Sequence, residues 1–226
     1  MTTAGFIYAR VDSQRLPNKV FEKFGRRKLI EIIIERLRLC DLDRIYLVTS
    51  DRSVDDVLAE YCQELGIGVF RGSFEDLVHR SVAAINYLKV DRFLRVNGDS
   101  PFISPTLVNY SLQHFEKTKF VSNLFNRTFP YGVAIELIDA AWYCDIARME
   151  APISSEHLTQ HLYQHTKKYK TISITQNINM RDKRLTIDTL HDFKQLESIL
   201  IENHLVEYWD CLGYSEPIFN YGNPNA

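Results

Sequence analysis

Short runs rich in β-branched and aromatic residues alternate with stretches whose apolar positions recur every three or four residues through the first 120 residues of the chain. Such alternation predicts repeated strand-helix units on a largely parallel sheet. Gly5 to Val11 reads as a first strand buried on both faces. Leu29, Ile32, Ile33, Arg36 and Leu37 fall near helical spacing within 29–39, and Arg44 to Ser50 is a second strand ending in polar residues. Val54 to Leu65 predicts a helix stopped at Gly66, followed by a short strand at Val69-Phe70. Phe74 to Leu88 reads as a third helix with Ser73 as its cap and Asp76 three residues on. Asp91 to Asn97 is a fourth strand, Ser104-Pro105 opens a helix running to Lys117, and Phe120 to Asn123 is extended.

Beyond Leu124 the alternation fails. Asn126 to Gly132 is turn-like, Val133 to Ile138 a strand, and 139–166 mostly helical. Lys170 to Thr175 and Arg184 to Asp188 read as strands, Leu190 to Asn203 as a closing helix, and the Gly-, Asn- and Pro-containing last dozen residues as an irregular tail. No internal repeat or linker divides the chain, so its 226 residues predict one domain, 1–226.

Composition narrows the class. Hydrophobic residues at 45% and charged residues at 25% suit a folded globular protein, and a net charge of −2 removes the basic field of a nonspecific nucleic-acid binder. No run approaches the roughly 20 apolar residues of a membrane span. The first ten residues lack a signal-peptide pattern, so the expected location is the cytoplasm. Cys40, Cys62, Cys144 and Cys211 show no metal or disulfide spacing and read as buried thiols.

The densest chemistry follows the first strand. Between Arg10 and Lys28 stand seven basic residues (Arg10, Arg15, Lys19, Lys23, Arg26, Arg27, Lys28) against two acids, Asp12 and Glu22. A loop beyond the carboxyl end of a parallel strand is where ligands bind, and this cationic excess suits phosphate, although a solvated charged loop has the same composition. Walker A and dinucleotide fingerprints are absent. Asp99 and Asp188 each end a predicted strand, and two such carboxylates suffice for magnesium alongside phosphate oxygens. Capping of a turn and of the last helix is the alternative for these aspartates.

Ala9, Arg10, Ser13, Arg15, Leu16, Pro17 and Lys19 complete an A-R-x-x-S-x-R-L-P-x-K pattern. In this the chain resembles the cytidylyltransferases that activate acidic sugars, the acylneuraminate and 3-deoxy-manno-octulosonate enzymes, and especially their spore-coat polysaccharide relatives. Val48-Thr49-Ser50-Asp51, Phe70-Arg71-Gly72-Ser73 with Asp76 and Arg80, Arg95 to Pro101, Val121-Ser122-Asn123, Glu156-His157, Asp188-Thr189 and Asp192-Phe193 extend the match from residue 5 to about 200. The resemblance implies an α/β nucleotide-diphospho-sugar transferase fold, a Rossmann-like three-layer sandwich with a mixed, mostly parallel sheet. It implies transfer of CMP from CTP to a sugar acid with release of pyrophosphate, dependent on Mg2+. Arg10, Lys19 and Asp99 would be catalytic. Ala9, Arg10, Ser13, Arg15, Lys19, Arg71, Ser73 and Arg80 would meet the nucleotide, Glu136, Glu156 and His157 the sugar, and Asp99 and Asp188 the metal.

Departures cluster in two places. Asp12 and Asn18 replace glycines common in the family's first loop; both tolerate a left-handed backbone, but Asp12 adds negative charge near the phosphates. Tyr131 and Ala134 stand where spore-coat relatives usually carry aspartate in P-D-G-L-D-V-E, and Ser155 replaces an arginine. These changes fit an unusual acceptor, or a catalytically silent nucleotide-binding or assembly protein of the same fold. A glycosyltransferase reading would call for a D-x-D motif, which does not follow the fourth strand. His157, His161 and His165 share a helical spacing, for which a helix surface or subunit contact is the ordinary reading. Residues 124–180 are expected to form the sugar side and a homodimer contact, because Phe125, Phe129, Tyr131, Trp142 and Tyr143 offer more aromatic surface than one chain of this size would bury.

Overall fold

A computed structural model of the chain describes residues 1–13, 15–116, 118–149, 158–164 and 170–224. Its strands are β1 (Thr3–Tyr8), β2 (Lys23–Phe24), β3 (Arg27–Lys28), β4 (Arg44–Ser50), β5 (Gly68–Gly72), β6 (Arg92–Asn97), β7 (Phe120–Ser122), β8 (Glu136–Asp139), β9 (Thr171–Gln176) and β10 (Phe219–Gly222). The helices are α1 (Leu29–Leu37), α2 (Asp56–Glu64), α3 (Leu77–Leu88), α4 (Pro105–Gln113), α5 (Ala140–Met149), α6 (Gln160–Gln164), α7 (Leu190–Asn203) and α8 (Tyr208–Cys211). One sheet runs β10-β9-β7-β8-β6-β1-β4-β5, with β2 and β3 as a separate hairpin. β5, β4, β1 and β6 are mutually parallel, β8 is antiparallel to β6 and β7, β9 is parallel to β7, and β10 is antiparallel to β9. The mixed, mostly parallel sheet of the sequence expectation is therefore present.

Strand alternation sorts side chains into two cores, one on each face. Ile7, Leu47, Leu94 and Leu137 face one way, onto α1, α2, α4 and α7 residues such as Ile33, Leu58, Leu107 and Leu196. Ala4, Phe6, Val48, Phe93, Phe120 and Ile138 face the other, onto Val78, Ala84, Tyr143 and Ile146 of α3 and α5. Removing Ile32, Ile33 and Leu37 fully from water contributes about 1.5–3 kcal/mol for each side chain, which holds α1 to the sheet.

The parallel half forms as its pattern predicts, with ends trimmed by local chemistry. Strand β1 stops at Tyr8, so residues 9–11 belong to the following loop. Asp76, not Ser73, caps α3: its extended backbone lets the carboxylate accept the His79 N–H at 2.8 Å, while Ser73 Oγ accepts the Asp76 N–H at 3.1 Å. Helix α4 begins at Pro105 behind a Ser104 cap and ends at Gln113, short of the expected Lys117.

Three expectations are corrected in the later half. Arg184 to Asp188 is no strand. Residues 185–188 are all buried, and the Leu185 N–H donates to the Tyr131 carbonyl and the Ile187 N–H to the Asp99 carbonyl, so the segment crosses strand ends and makes one bridge instead of a ladder. The tail is not wholly irregular, because β10 pairs with β9 and Phe219 packs with Tyr110, Phe129 and Trp209. Four of the five aromatic residues named for an interface pack within the chain: Phe129 and Tyr143 are fully buried, Trp142 nearly so, and Phe125 packs on Phe120 and Tyr163, whereas Tyr131 is 44% exposed. Among the described residues no helix is long and apolar enough to cross a membrane.

Candidate active site

Strands β1 and β6 lie side by side while the chain leaves them in different directions, β1 toward β4 and β6 toward β8. That is the topological switch point of the sheet, where a crevice opens beyond the strand ends. The loops after β1 and β6 touch. The Gly98 N–H donates to the Tyr8 carbonyl at 3.0 Å, and a Cβ at Gly98 would fall 2.6 Å from that of Ala9, so only glycine fits.

In the loop after β1, the Ser13 and Asn18 N–H groups both donate to the Val11 carbonyl, at 3.0 and 2.9 Å. Asn18 takes the left-handed backbone at φ 59° that its replacement of glycine demands, whereas Asp12 does not use that region. The turn delivers Lys19, whose Nζ lies 2.9 Å from Asp99 Oδ2 and 3.1 Å from Asp188 Oδ1. Arg15 reaches Asp188 Oδ1 at 3.0 Å and Arg184 reaches Asp188 Oδ2 at 2.7 Å. Two aspartates far apart in sequence thus share one cation, and three cations converge on Asp188.

Asp188 does not cap α7. Thr189 does: its hydroxyl accepts the Asp192 N–H at 3.2 Å, and Asp192 accepts the Thr189 N–H at 2.9 Å, a reciprocal box that leaves the Asp188 carboxylate free for the crevice. Burial alone would raise the Asp192 pKa, but hydrogen bonds from the Thr189 hydroxyl and from the Asp188 and Thr189 N–H groups, with Arg184, hold it below the ordinary carboxylate value. The Ile187 N–H to Asp99 carbonyl bond, 2.9 Å, is what sets Asp188 beside Asp99.

The other end of the same loop builds a second group. Arg52 pairs with Asp12, and Arg10 stands 3.9 Å from it. Both guanidiniums lie over Phe74, Arg52 at 3.7 Å and Arg10 at 4.8 Å from the ring centre. Buried Asp55 accepts the Val11 N–H at 2.8 Å and the Ser50 hydroxyl, and Thr49 donates to the Ala9 carbonyl at 2.8 Å, fastening the loop to β4. Arg71 donates to the Ser50 and Arg52 carbonyls at 3.1 and 2.8 Å and pairs with Asp56 at 2.5 Å, a scaffold role. Arg80 is different. It is 4% exposed, its Nε and one terminal nitrogen have no hydrogen-bond partner, and burial lowers its pKa against the pull of Tyr8, Asp55 and Asp51.

Glu136 lies at the strand ends on the α3 and α5 face, 2% exposed, bonded by Arg95 at 2.5 Å and by the Tyr163 hydroxyl at 2.9 Å. Desolvation would lower the Arg95 pKa, but Glu136 outweighs it and the net shift is upward. Tyr8, raised to about 12 by burial, donates to Ser81 at 3.0 Å beside this network. Glu156, His157 and His165, and the departure at Ser155, lie outside the described residues.

The sequence reading thus names both poles of the Lys19 group but misses Arg52, Phe74, Asp55, Arg95, Tyr163 and Arg184. Asp55 and Arg52 follow a quoted Thr-Ser-Asp strand end within five residues, a proximity that marks them. Tyr163 has no local signal, since its partners Glu136 and Ser122 are distant in sequence, whereas Arg184 stands four residues before Asp188, a spacing that could have marked it.

Comparison with known proteins agrees with this geometry. A cytidylyltransferase family profile matches residues 4–211. The chain belongs to the cytidylyltransferase family. It is 32% identical over 203 residues to the spore coat polysaccharide biosynthesis protein SpsF of Bacillus subtilis (strain 168), covering 85% of this chain and 84% of that protein. A solved cytidylyltransferase from Leptospira borgpetersenii serovar Hardjo-bovis superposes with a TM-score of 0.88 at 28% identity, covering 94% and 93% of the two chains. The CMP:2-keto-3-deoxy-manno-octonic acid synthetase complexed with CTP shares the fold, with a TM-score of 0.63 at 15% identity over 89% of this chain and 99% of that one. The Rossmann-like nucleotidyltransferase fold expected from the resemblance is that of these relatives.

Proposed function

We propose that this cytidylyltransferase moves CMP from CTP to a sugar acid, releasing pyrophosphate, for a surface glycan. The observation that carries the reading is Lys19 Nζ held between Asp99 and Asp188 at the mouth of the β1/β6 crevice. Asp99 and Asp188 converge on a single cation, and a donor set of two carboxylates beside a phosphate site fits magnesium, which binds through one or two carboxylates, substrate phosphates and water. Those two aspartates would hold it. A bound magnesium would supply charge neutralisation at the phosphates.

Lys19 and Arg15, released from the aspartates, would turn to the phosphate oxygens, with Arg10 approaching from Phe74. An acceptor hydroxyl oxygen then forms a bond to the α-phosphorus, the bond from that phosphorus to the β-phosphate oxygen breaks, and the hydroxyl proton passes to solvent. Arg80, with two unanswered buried donors, would meet the nucleoside side. The charge of Asp12, the departure that bears on nucleotide affinity, is taken up by Arg52, which supports retained nucleotide binding.

Pyrophosphate release from CTP with a panel of sugar acids, and calorimetric titration of CTP against ATP, test the reading. Release with CTP and tighter binding of CTP are expected; equal or tighter binding of ATP overturns the cytidine assignment. Homodimer assembly is part of the proposal and rests on the family resemblance. Light scattering that gives a monomer mass at micromolar concentration, with full turnover, contradicts it.

A further inference from the structure

Each of the two crevice aspartates presents one oxygen to Lys19 and has the other bonded elsewhere in the chain. Asp99 Oδ2 and Asp188 Oδ1 are the oxygens that meet at Lys19 Nζ, 2.9 and 3.1 Å away. Asp99 Oδ1 accepts the Ser100 hydroxyl at 3.1 Å, and Ser100 is itself only 4% exposed. Asp188 Oδ2 accepts Arg184 at 2.7 Å. The same guanidinium reaches Asp192 Oδ1 at 3.3 Å and lies 4.7 Å from the centre of the Tyr131 ring, so three neighbours hold it. Arg15, the remaining cation on Asp188, shares Oδ1 with Lys19 and leaves Oδ2 to Arg184.

The main chain beneath these carboxylates is fixed as well. The Ile187 N–H donates to the Asp99 carbonyl at 2.9 Å, and the Asp188 N–H donates to Asp192 Oδ2 at 3.1 Å. Neither aspartate can therefore bring its second oxygen to the cation without giving up Ser100 or Arg184. Among the described residues no three His, Cys, Asp or Glu side chains gather to hold a metal, so a divalent cation at this point would draw its remaining ligands from phosphate and water. Calcium takes roughly six to eight oxygens and commonly uses both oxygens of a carboxylate, whereas magnesium needs a compact octahedral set and keeps several waters. Carboxylates limited to one oxygen each suit the second ion and starve the first.

Resting on the metal-assisted cytidylyl transfer proposed above, we infer that Ser100 and Arg184 are positioning residues that hold Asp99 and Asp188 to one oxygen each and so select magnesium or manganese over calcium. They act through the aspartates and touch neither cation nor substrate. The test is calorimetric titration of CTP, without acceptor, in saturating Mg2+, Mn2+ or Ca2+, for wild type, Ser100→Ala, Arg184→Met and Arg184→Lys. Wild type is expected to bind CTP at least about tenfold more tightly with Mg2+ or Mn2+ than with Ca2+. Ser100→Ala and Arg184→Met each release a second carboxylate oxygen, tighten the calcium complex and bring that ratio below about threefold; Arg184→Lys, which keeps a donor, recovers part of it. Loss of the Arg184 charge shifts affinity for all three divalent cations in the same sense, and a purely structural defect weakens CTP with each of them, so neither moves the ratio. A wild-type ratio near one, or a ratio unmoved in both Ser100→Ala and Arg184→Met, overturns the inference while the proposed activity stands. If Arg184→Met fails to fold, Ser100→Ala, which removes a single hydroxyl, decides by the same ratio. Wild-type protein that binds CTP with none of the three cations overturns the cytidylyl-transfer reading and this inference together.

Discussion

The two halves of the sheet reach their chemistry by different routes. In the parallel half, β5-β4-β1-β6, most of the crevice groups sit on a loop directly after a strand, Arg10 to Lys19 after β1, Arg52 and Asp55 after β4, Phe74 and Asp76 after β5 and Asp99 after β6, with Arg80 added from α3. In the mixed half, β8-β7-β9-β10, Glu136 is answered by Arg95 and Tyr163, and Tyr131 by Arg184, residues from separate segments. The first arrangement is generic, because any parallel strand aims its following loop at the crevice. The second depends on how the chain folds back, and there the departures Tyr131 and Ala134 fall. Under the proposed function, nucleotide handling would fall to the first construction and acceptor choice to the second.

The strongest challenge to that division is a residue that ties one end of the chain to the other. Arg36 of α1, wholly buried, donates to the Ile103, His204 and Val206 carbonyls at 2.6, 2.9 and 2.8 Å, with Glu207 3.7 Å away. Arg36→Met leaves those carbonyls and Glu207 unanswered, and urea denaturation should show a loss of about 3–5 kcal/mol. A loss below about 1 kcal/mol would mean that the C-terminal segment is not held through α1.

Next in size is Asp99→Asn, which removes a pole of the Lys19 bridge. Turnover should fall at least about a hundredfold, with thermal stability near wild type, because the site and not the core is altered. Wild-type rate would remove the parallel half from the chemistry.

Asp192→Asn breaks the reciprocal cap of α7, with an expected loss of about 1 kcal/mol. The sign of its pH dependence is fixed by a folded pKa depressed below the unfolded value. Asp192 therefore contributes its stability above the unfolded carboxylate pKa of about 3.9 and loses it as pH falls through the lower folded value. Chemical denaturation between pH 5 and roughly pH 2 should be less steep in pH for the variant. Equal steepness would show that α7 is held by packing alone.

The smallest effect sharpens the nucleotide side. Asp12 holds Arg52, with Arg10 close by, in the position an anionic ligand would take, so Asp12→Asn should tighten CTP binding a few-fold in calorimetry. Weaker binding would make Asp12 a structural brace of the loop.

Legibility in the sequence follows the same division. The bounds of β4 fall on Arg44 and Ser50 as its pattern predicts, and α7 spans Leu190 to Asn203, because apolar period and capping residues are local quantities. The contiguous first loop signature likewise displays its ligand chemistry. Arg184 to Asp188 deceives for a related reason: its apolar Leu185 and Ile187 look like one face of a strand, but Thr186 and Asp188 are buried too, and a sequence pattern does not report which backbone pairs with which. The tail deceives in the opposite sense, since Gly, Asn and Pro mark a loop until β9 offers an edge to complete.

The sequence by itself determined the strand-helix alternation and the cationic loop, since each is written in residues within one turn or one strand of each other, and it marked Asp99 and Asp188 one at a time, each after its own segment. Only the tertiary structure decided that Lys19 bridges Asp99 and Asp188, that Arg95 and Tyr163 meet on Glu136, and that Arg184 lies against the Tyr131 ring. Those outcomes depend on segments up to 169 residues apart. Their free energies come from desolvation and charge pairing, which are set by the neighbours that folding brings together and have no period along the chain.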